Sequence, residues 1–188
     1  VKNLQTDGTL SQNVLLSPNP IIEAEYRRTH ILGLEFETTV SDFGVRGETA
    51  WQENQSFLTS NLTSSTSPVF TYIIGADYTT KNDIYLNLQF SHQHIADYTP
   101  DMLYFDRNTY SLSGEISRDI FTNWIEACLN YSVTLNNDSG YLSPKIKYTR
   151  ITNLDIILGA DIFYGDADTW LGRFDPNDQL FLEATYQF

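Results

Sequence analysis

Apolar and polar residues alternate one for one along most of this chain, in segments about ten residues long that are bounded by turn-forming residues. After Arg28, the positions His30, Leu32, Leu34, Phe36, Thr38 and Val40 form one face, and Gly33, Glu35, Glu37 and Thr39 the other. Beyond Ser41-Asp42 the parity flips: Phe43, Val45, Gly47, Thr49 and Trp51 stand against Gly44, Arg46, Glu48, Ala50 and Gln52. Such a flip is what a tight hairpin does to two strands that share a face. The same period predicts further strands over 70–79, 84–93, 110–117, 125–134, 142–151, 154–164 and 180–188. Pro144 removes a ladder donor, so its strand is expected to start late or to carry a bulge.

Connector lengths alternate too. Short links fall near 41–42, 80–83, 119–123 and 152–153, and long ones at 53–68, 96–107 and 165–178, with only 136–140 brief where a long link is due. Hairpins with one tidy and one elaborated end predict an all-β, antiparallel up-and-down meander whose two rims face different surroundings. A soluble sheet would turn its apolar face into a core, whereas a transmembrane barrel turns it outward. Aromatic placement favours the barrel. Phe43, Tyr78, Tyr148, Tyr186 and Phe188 fall at the short-link rim, and Trp51, Phe70, Tyr72, Phe90, Tyr110, Tyr131 and Tyr164 near the other, with aliphatic residues between. Amphipathic rings favour the two headgroup layers in this way. Arg118 and Arg150 share the apolar phase, but they sit at the short-link rim, where a long stem reaches the headgroups.

Charge narrows the partners. With 24 acidic against 11 basic residues, a net charge of −13, the chain lacks the clustered cations that phosphate backbones require, so no nucleic-acid partner is expected. A single cysteine, Cys128, makes no intrachain disulfide and no cysteine metal motif. No apolar run is long enough for a membrane-spanning helix. Val1 to Leu10 shows neither a basic start nor an apolar signal segment, which is expected if a leader has been removed or the chain begins mid-protein.

The last segment places Leu180, Leu182, Ala184, Tyr186 and the terminal Phe188 on one face without a polar interruption. In this the chain resembles Gram-negative outer-membrane β-barrel proteins of porin-like type, and the resemblance covers residues 26–188. It implies a bacterial outer-membrane location, contact with outer-membrane lipid and lipopolysaccharide, and a final strand read as a signal by the barrel-assembly machinery. Nine segments is an odd count, whereas bacterial single-chain barrels have even counts. Either residues 9–16, through Leu10, Val14 and Leu16, supply a weak tenth strand, or upstream strands belong to a larger barrel, which is the favoured expectation. Residues 1–25 then read as a loop or residual upstream strand, and 26–188 as barrel strands.

The face opposite the apolar one carries the candidate pore lining: Glu35, Glu37, Arg46, Glu48, Asp77, Glu115, Glu126, Lys145, Lys147, Asp155, Asp161 and Glu183. A lumen so lined favours cations by its field; the plainer alternative is solvated or cross-strand paired groups without a selective role. Arg46 is close enough in sequence to expect a transverse pair with Glu35 or Glu48. His92 and His94, near Ser91 and Asp97, superficially suggest a barrel hydrolase, but Ser91 and His92 point to opposite faces of one strand. The acidic stretch 165–178 lacks calcium-loop spacing, and Trp170 and Phe174 within it are expected either to fold into the mouth or to anchor in headgroups. The Ser/Thr/Asn run 55–67 reads as a flexible loop.

The expected function is therefore a porin-like passage for small solutes, without enzymatic activity, cofactor or metal, as a monomer or homo-oligomer. A barrel hydrolase and a plugged structural or adhesive barrel are the alternatives.

Overall fold

The computed structural model describes residues 28–121 and 123–188. The tenth-strand candidate 9–16, like the whole of the 1–25 segment, lies outside the described residues. Nine strands follow one another in a single sheet: β1 (Ile31–Val40), β2 (Phe43–Leu58), β3 (Ser64–Thr79), β4 (Ile84–Ile95), β5 (Asn108–Ile120), β6 (Ile125–Thr134), β7 (Ser139–Ile151), β8 (Leu154–Tyr164) and β9 (Gln179–Tyr186). Each pairs antiparallel with its sequence neighbours, in the order β1 to β9. Among the described residues no helix is long and apolar enough to cross a membrane, which says nothing against crossing by strands.

Registers join the apolar phases into one continuous face. One row of partners runs Phe36, Gly47, Ile74, Phe90, Leu112, Val133, Gly140 and Tyr164. The opposite face has its own rows, such as Glu37, Arg46, Gly75, Gln89, Ser113, Ser132, Tyr141 and Phe163. Large aromatic rings lie over cross-strand glycines: a Cβ at Gly47 would collide with Phe36, one at Gly140 with Tyr164 and one at Gly159 with Phe181. A ring lying flat over a glycine fills the missing side-chain volume and pins the register.

Among the described residues no second layer covers the apolar face. Leu34, Leu86, Leu158 and Leu182 remain 72%, 38%, 49% and 73% exposed, while Asn87, Ser117 and Ser143 on the polar face are at 8%, 8% and 0%. A sheet that shelters its polar side and bares its leucines is curled around the polar side. This inverts the arrangement of a water-soluble sheet.

Two strand boundaries depart from expectation. The 55–67 run is not a flexible loop: β2 and β3 stay paired through Gln55–Ser67, Ser56–Thr66, Phe57–Ser65 and Leu58–Ser64. A register shift between Gln52 and Gln55 makes this possible, because an extra residue on β2 turns Phe57 to the polar side. There Phe57 is buried with Val69, Ile95 and Met102. Pro144 neither delays β7 nor bulges it: it sits in register opposite Leu129, and the register shift in β7 falls later, between Tyr148 and Ile151. The β7–β8 pairs skip from Leu142–Ile162 to Lys145–Gly159, so the missing donor faces β8 and costs the ladder only there.

Candidate functional site

The polar face carries every predicted lining residue, but it brings them together in separate groups. Glu35 and Glu48 stand directly opposite one another on β1 and β2, and Glu37 stands opposite Arg46. Like charges across a ladder repel, so the Glu35–Glu48 pair is a local source of negative potential. The expected ion pair of Arg46 with Glu35 or Glu48 does not form; its guanidinium instead donates to Asp77 on β3, one strand further in. Gly44, opposite Asp77, leaves the space that the carboxylate occupies. Around the two glutamates the wall opens into a groove of about 420 Å³ that includes Gly33, Ala50 and Thr71.

A second group lies toward the short-link rim of β6 to β9. Glu126 faces Lys147, and the Lys147 Nζ lies 3.1 Å from the Asp155 carboxylate. Lys145 faces Cys128, and Glu183 faces Ile157. Asp161 is held differently, accepting hydrogen bonds from the Tyr141 hydroxyl at 2.8 Å, the Ser143 hydroxyl at 2.8 Å and the Gln179 amide at 2.7 Å. Three donors from the two flanking strands, β7 and β9, make Asp161 a structural knot of the wall rather than a free charge in the passage.

Between these groups, β4 to β7 present a nearly uncharged field. Its rows read Ser91, Ser111, Thr134 and Ser139, then Gln89, Ser113, Ser132 and Tyr141, then Asn87, Glu115, Asn130 and Ser143. Glu115 is the only charged member. The carboxylates drew attention in the sequence because of the net charge; the amide and hydroxyl field emerges only when the registers stack it.

The long connections fold over the polar side at their rim. Met102 bridges to Thr59 at the β2–β3 tip, and Tyr104 bridges to Thr169 in the β8–β9 connection. Phe105 meets Trp170 with ring centroids 5.3 Å apart, and Phe163, on the polar face, meets Phe174 at 5.7 Å. The Arg173 guanidinium, from the 3₁₀ helix Gly172–Asn177, lies over Trp170 at 3.7 Å, Phe174 at 4.6 Å and Tyr104 at 4.8 Å. Phe174 thus lies against the polar face through Phe163, while Trp170 packs on Phe105 and stays 46% exposed. The connections from β4–β5 and β8–β9 meet at the rim that the brief β6–β7 turn shares.

On the apolar face, His92 Nε2 and His94 Nδ1 both approach Asn108 Oδ1, at 3.1 and 2.8 Å. His92 stacks on Tyr110 at 4.5 Å and meets Tyr72 edge-on at 5.2 Å. Ser91 lies on the other face, so the two rings belong to an aromatic band rather than to a nucleophile. At the opposite rim Phe43 stacks on Tyr78 at 4.8 Å, and Arg150 lies 4.2 Å over the Trp124 ring. Among the described residues no cluster of three or more His, Cys, Asp or Glu side chains is arranged to hold a metal. In comparison with known proteins, no family model and no curated sequence matches this chain.

Proposed function

We propose that this chain forms the wall of a porin-like channel in a bacterial outer membrane, through which small solutes diffuse passively with a preference for cations. The observation that carries the reading is the sidedness of the sheet, with leucines bare on the outside and serines and asparagines sheltered within. Bare aliphatic surface on this scale is stable against acyl chains and a liability in water. The aromatic bands at both rims, with Arg118 and Arg150 at one of them, fit the two headgroup layers. Glu35, Glu48 and Glu183, without an ion-pair partner among the described residues, supply negative potential along the passage, while Arg46–Asp77 and Lys147–Asp155 largely cancel.

The protein reconstituted in planar bilayers under a salt gradient provides the test. Wild type is expected to give conductance steps and a cation-selective reversal potential. Replacing Glu35, Glu48 and Glu183 together by Gln should move that potential toward zero; an unchanged value counts against their role. A second reading, a plugged structural barrel, draws support from the connections bridged over the mouth. Folded protein that inserts and never conducts would favour it.

A further inference from the structure

We propose that the nearly uncharged field on β4 to β7 is a binding subsite for a neutral, polyhydroxylated solute of the size of a mono- or disaccharide. The inference rests on the channel reading and names the class of solute that the passage would hold.

The field forms a groove of about 410 Å³, within the roughly 300–1,000 Å³ of small-ligand sites. Its lining mixes donors with acceptors. Gln89 donates through Nε2 to Asn87 Oδ1 at 3.2 Å, which fixes both amides and leaves Gln89 Oε1 and the Asn87 amide nitrogen without a side-chain partner among the described residues. Asn130 is fixed in the same way by its 3.3 Å contact with the Cys128 Sγ, and its Oδ1 stays unpaired among the described residues. The Ser113 and Ser132 hydroxyls and the Glu115 carboxylate likewise bond to no other described side chain, although all three line the groove. Amides immobilised by one another, next to vacant hydroxyls, form a preorganised set of hydrogen-bond valences.

Charge argues for a neutral ligand. Arg46 at one end is already neutralised by Asp77, and Glu115 alone would repel an anion. A carboxylate is also a strong acceptor for the hydroxyl groups of a sugar. Tyr85 and Tyr141 are also among the lining residues, and aromatic rings pack well against the C–H faces of a pyranose. Tyr141 further touches Phe163 at 5.1 Å, which links the groove to the bridged connections above it.

The experiment uses the full chain and four probes: glucose and maltose as neutral ligands, gluconate and glucosamine as charged ones. Maltose is expected to block ion current reversibly in planar bilayers and to give a saturable heat in titration calorimetry of the detergent-folded protein. The Gln89→Ala, Asn130→Ala double variant should weaken both by about tenfold, the loss of one or two neutral hydrogen bonds. Ser132→Ala, a smaller change, should weaken them less, and circular dichroism establishes that each variant keeps its strands. Conductance without maltose block or heat overturns the subsite and leaves the channel standing. So does equal affinity for gluconate, or variants that bind as wild type. Saturable maltose heat in a protein that never conducts overturns the channel and keeps the subsite.

Discussion

At the scale of single residues, the two-residue period assigned side chains to faces correctly because parity in a strand is fixed by backbone geometry. It could not assign partners. Arg46 lies in sequence near Glu48 and in register opposite Glu37, yet it bonds Asp77 diagonally across β2 and β3. A long guanidinium reaches neighbours that alternation does not rank. Glycine roles were equally hidden, since a glycine in a strand reads as weakness until its cross-strand partner is known. Gly114 and Gly47 illustrate two kinds of constraint. The three atoms nearest a Cβ on Gly47 all belong to the ring of Phe36, on the exposed strand β1, and that ring can swing aside. A Cβ on Gly114 would strike the backbone carbonyl of Asn87 as well as the Tyr131 hydroxyl 2.7 Å away. Backbone in mid-sheet does not yield, so Gly114→Ala is expected to cost about 1–3 kcal/mol, as overpacking does, and Gly47→Ala markedly less. Urea titration of the detergent-folded variants checks the order; equal midpoints would contradict it.

At the scale of elements, strand existence was legible and strand length was not. The 55–67 run is polar enough to read as loop, and only the register shift after Gln52, which turns Phe57 onto Val69 and Ile95, keeps β2 and β3 paired beyond it. A bulge leaves no mark in composition. The mouth was half legible: Trp170 and Phe174 stood out in an acidic connection, but their direction depends on Phe105 and Phe163, far away in sequence. Arg173 ties this element together. Its guanidinium packs on three rings, and its Nε is buried without a hydrogen-bond partner, so its contribution is stacking rather than salt bridging. Removing it should release the β8–β9 connection without disturbing the sheet. Arg173→Ala is expected to speed limited proteolysis within 165–178 several-fold while far-ultraviolet circular dichroism stays that of wild type. Cleavage at the wild-type rate would mean that the aromatic contacts alone hold the bridge.

At the scale of the whole molecule, the registers encode a tilt. The row through the pair Val40–Phe43, beside the first short turn, continues through Tyr78, Leu86, Ile116, Leu129 and Pro144. By β7 the row stands far above that strand's own short turn, which follows Ile151. The climb is slightly more than one residue per strand, and with about 3.3 Å of rise and 4.8 Å between strands it gives a tilt of about 40°, as barrel closure requires. Direction adds a constraint that alternation alone does not. β1 and β9 both run toward the short-link rim, and neither has an outer neighbour among the described residues. Direct closure of β9 on β1 would therefore be parallel, whereas antiparallel closure needs an odd number of further strands between them. Bacterial barrels favour the antiparallel solution, and an intervening strand sets β1 and β9 roughly 10 Å apart, beyond disulfide reach. In a Cys128→Ser background, cysteines pairing position 34 or 36 with position 180 or 182 should stay uncrosslinked under mild oxidation of the membrane-inserted protein. The control pair Leu34→Cys with Thr49→Cys, neighbours on β1 and β2, should link readily. Crosslinking between β1 and β9 would establish a nine-stranded barrel closed in parallel, with a correspondingly narrower lumen.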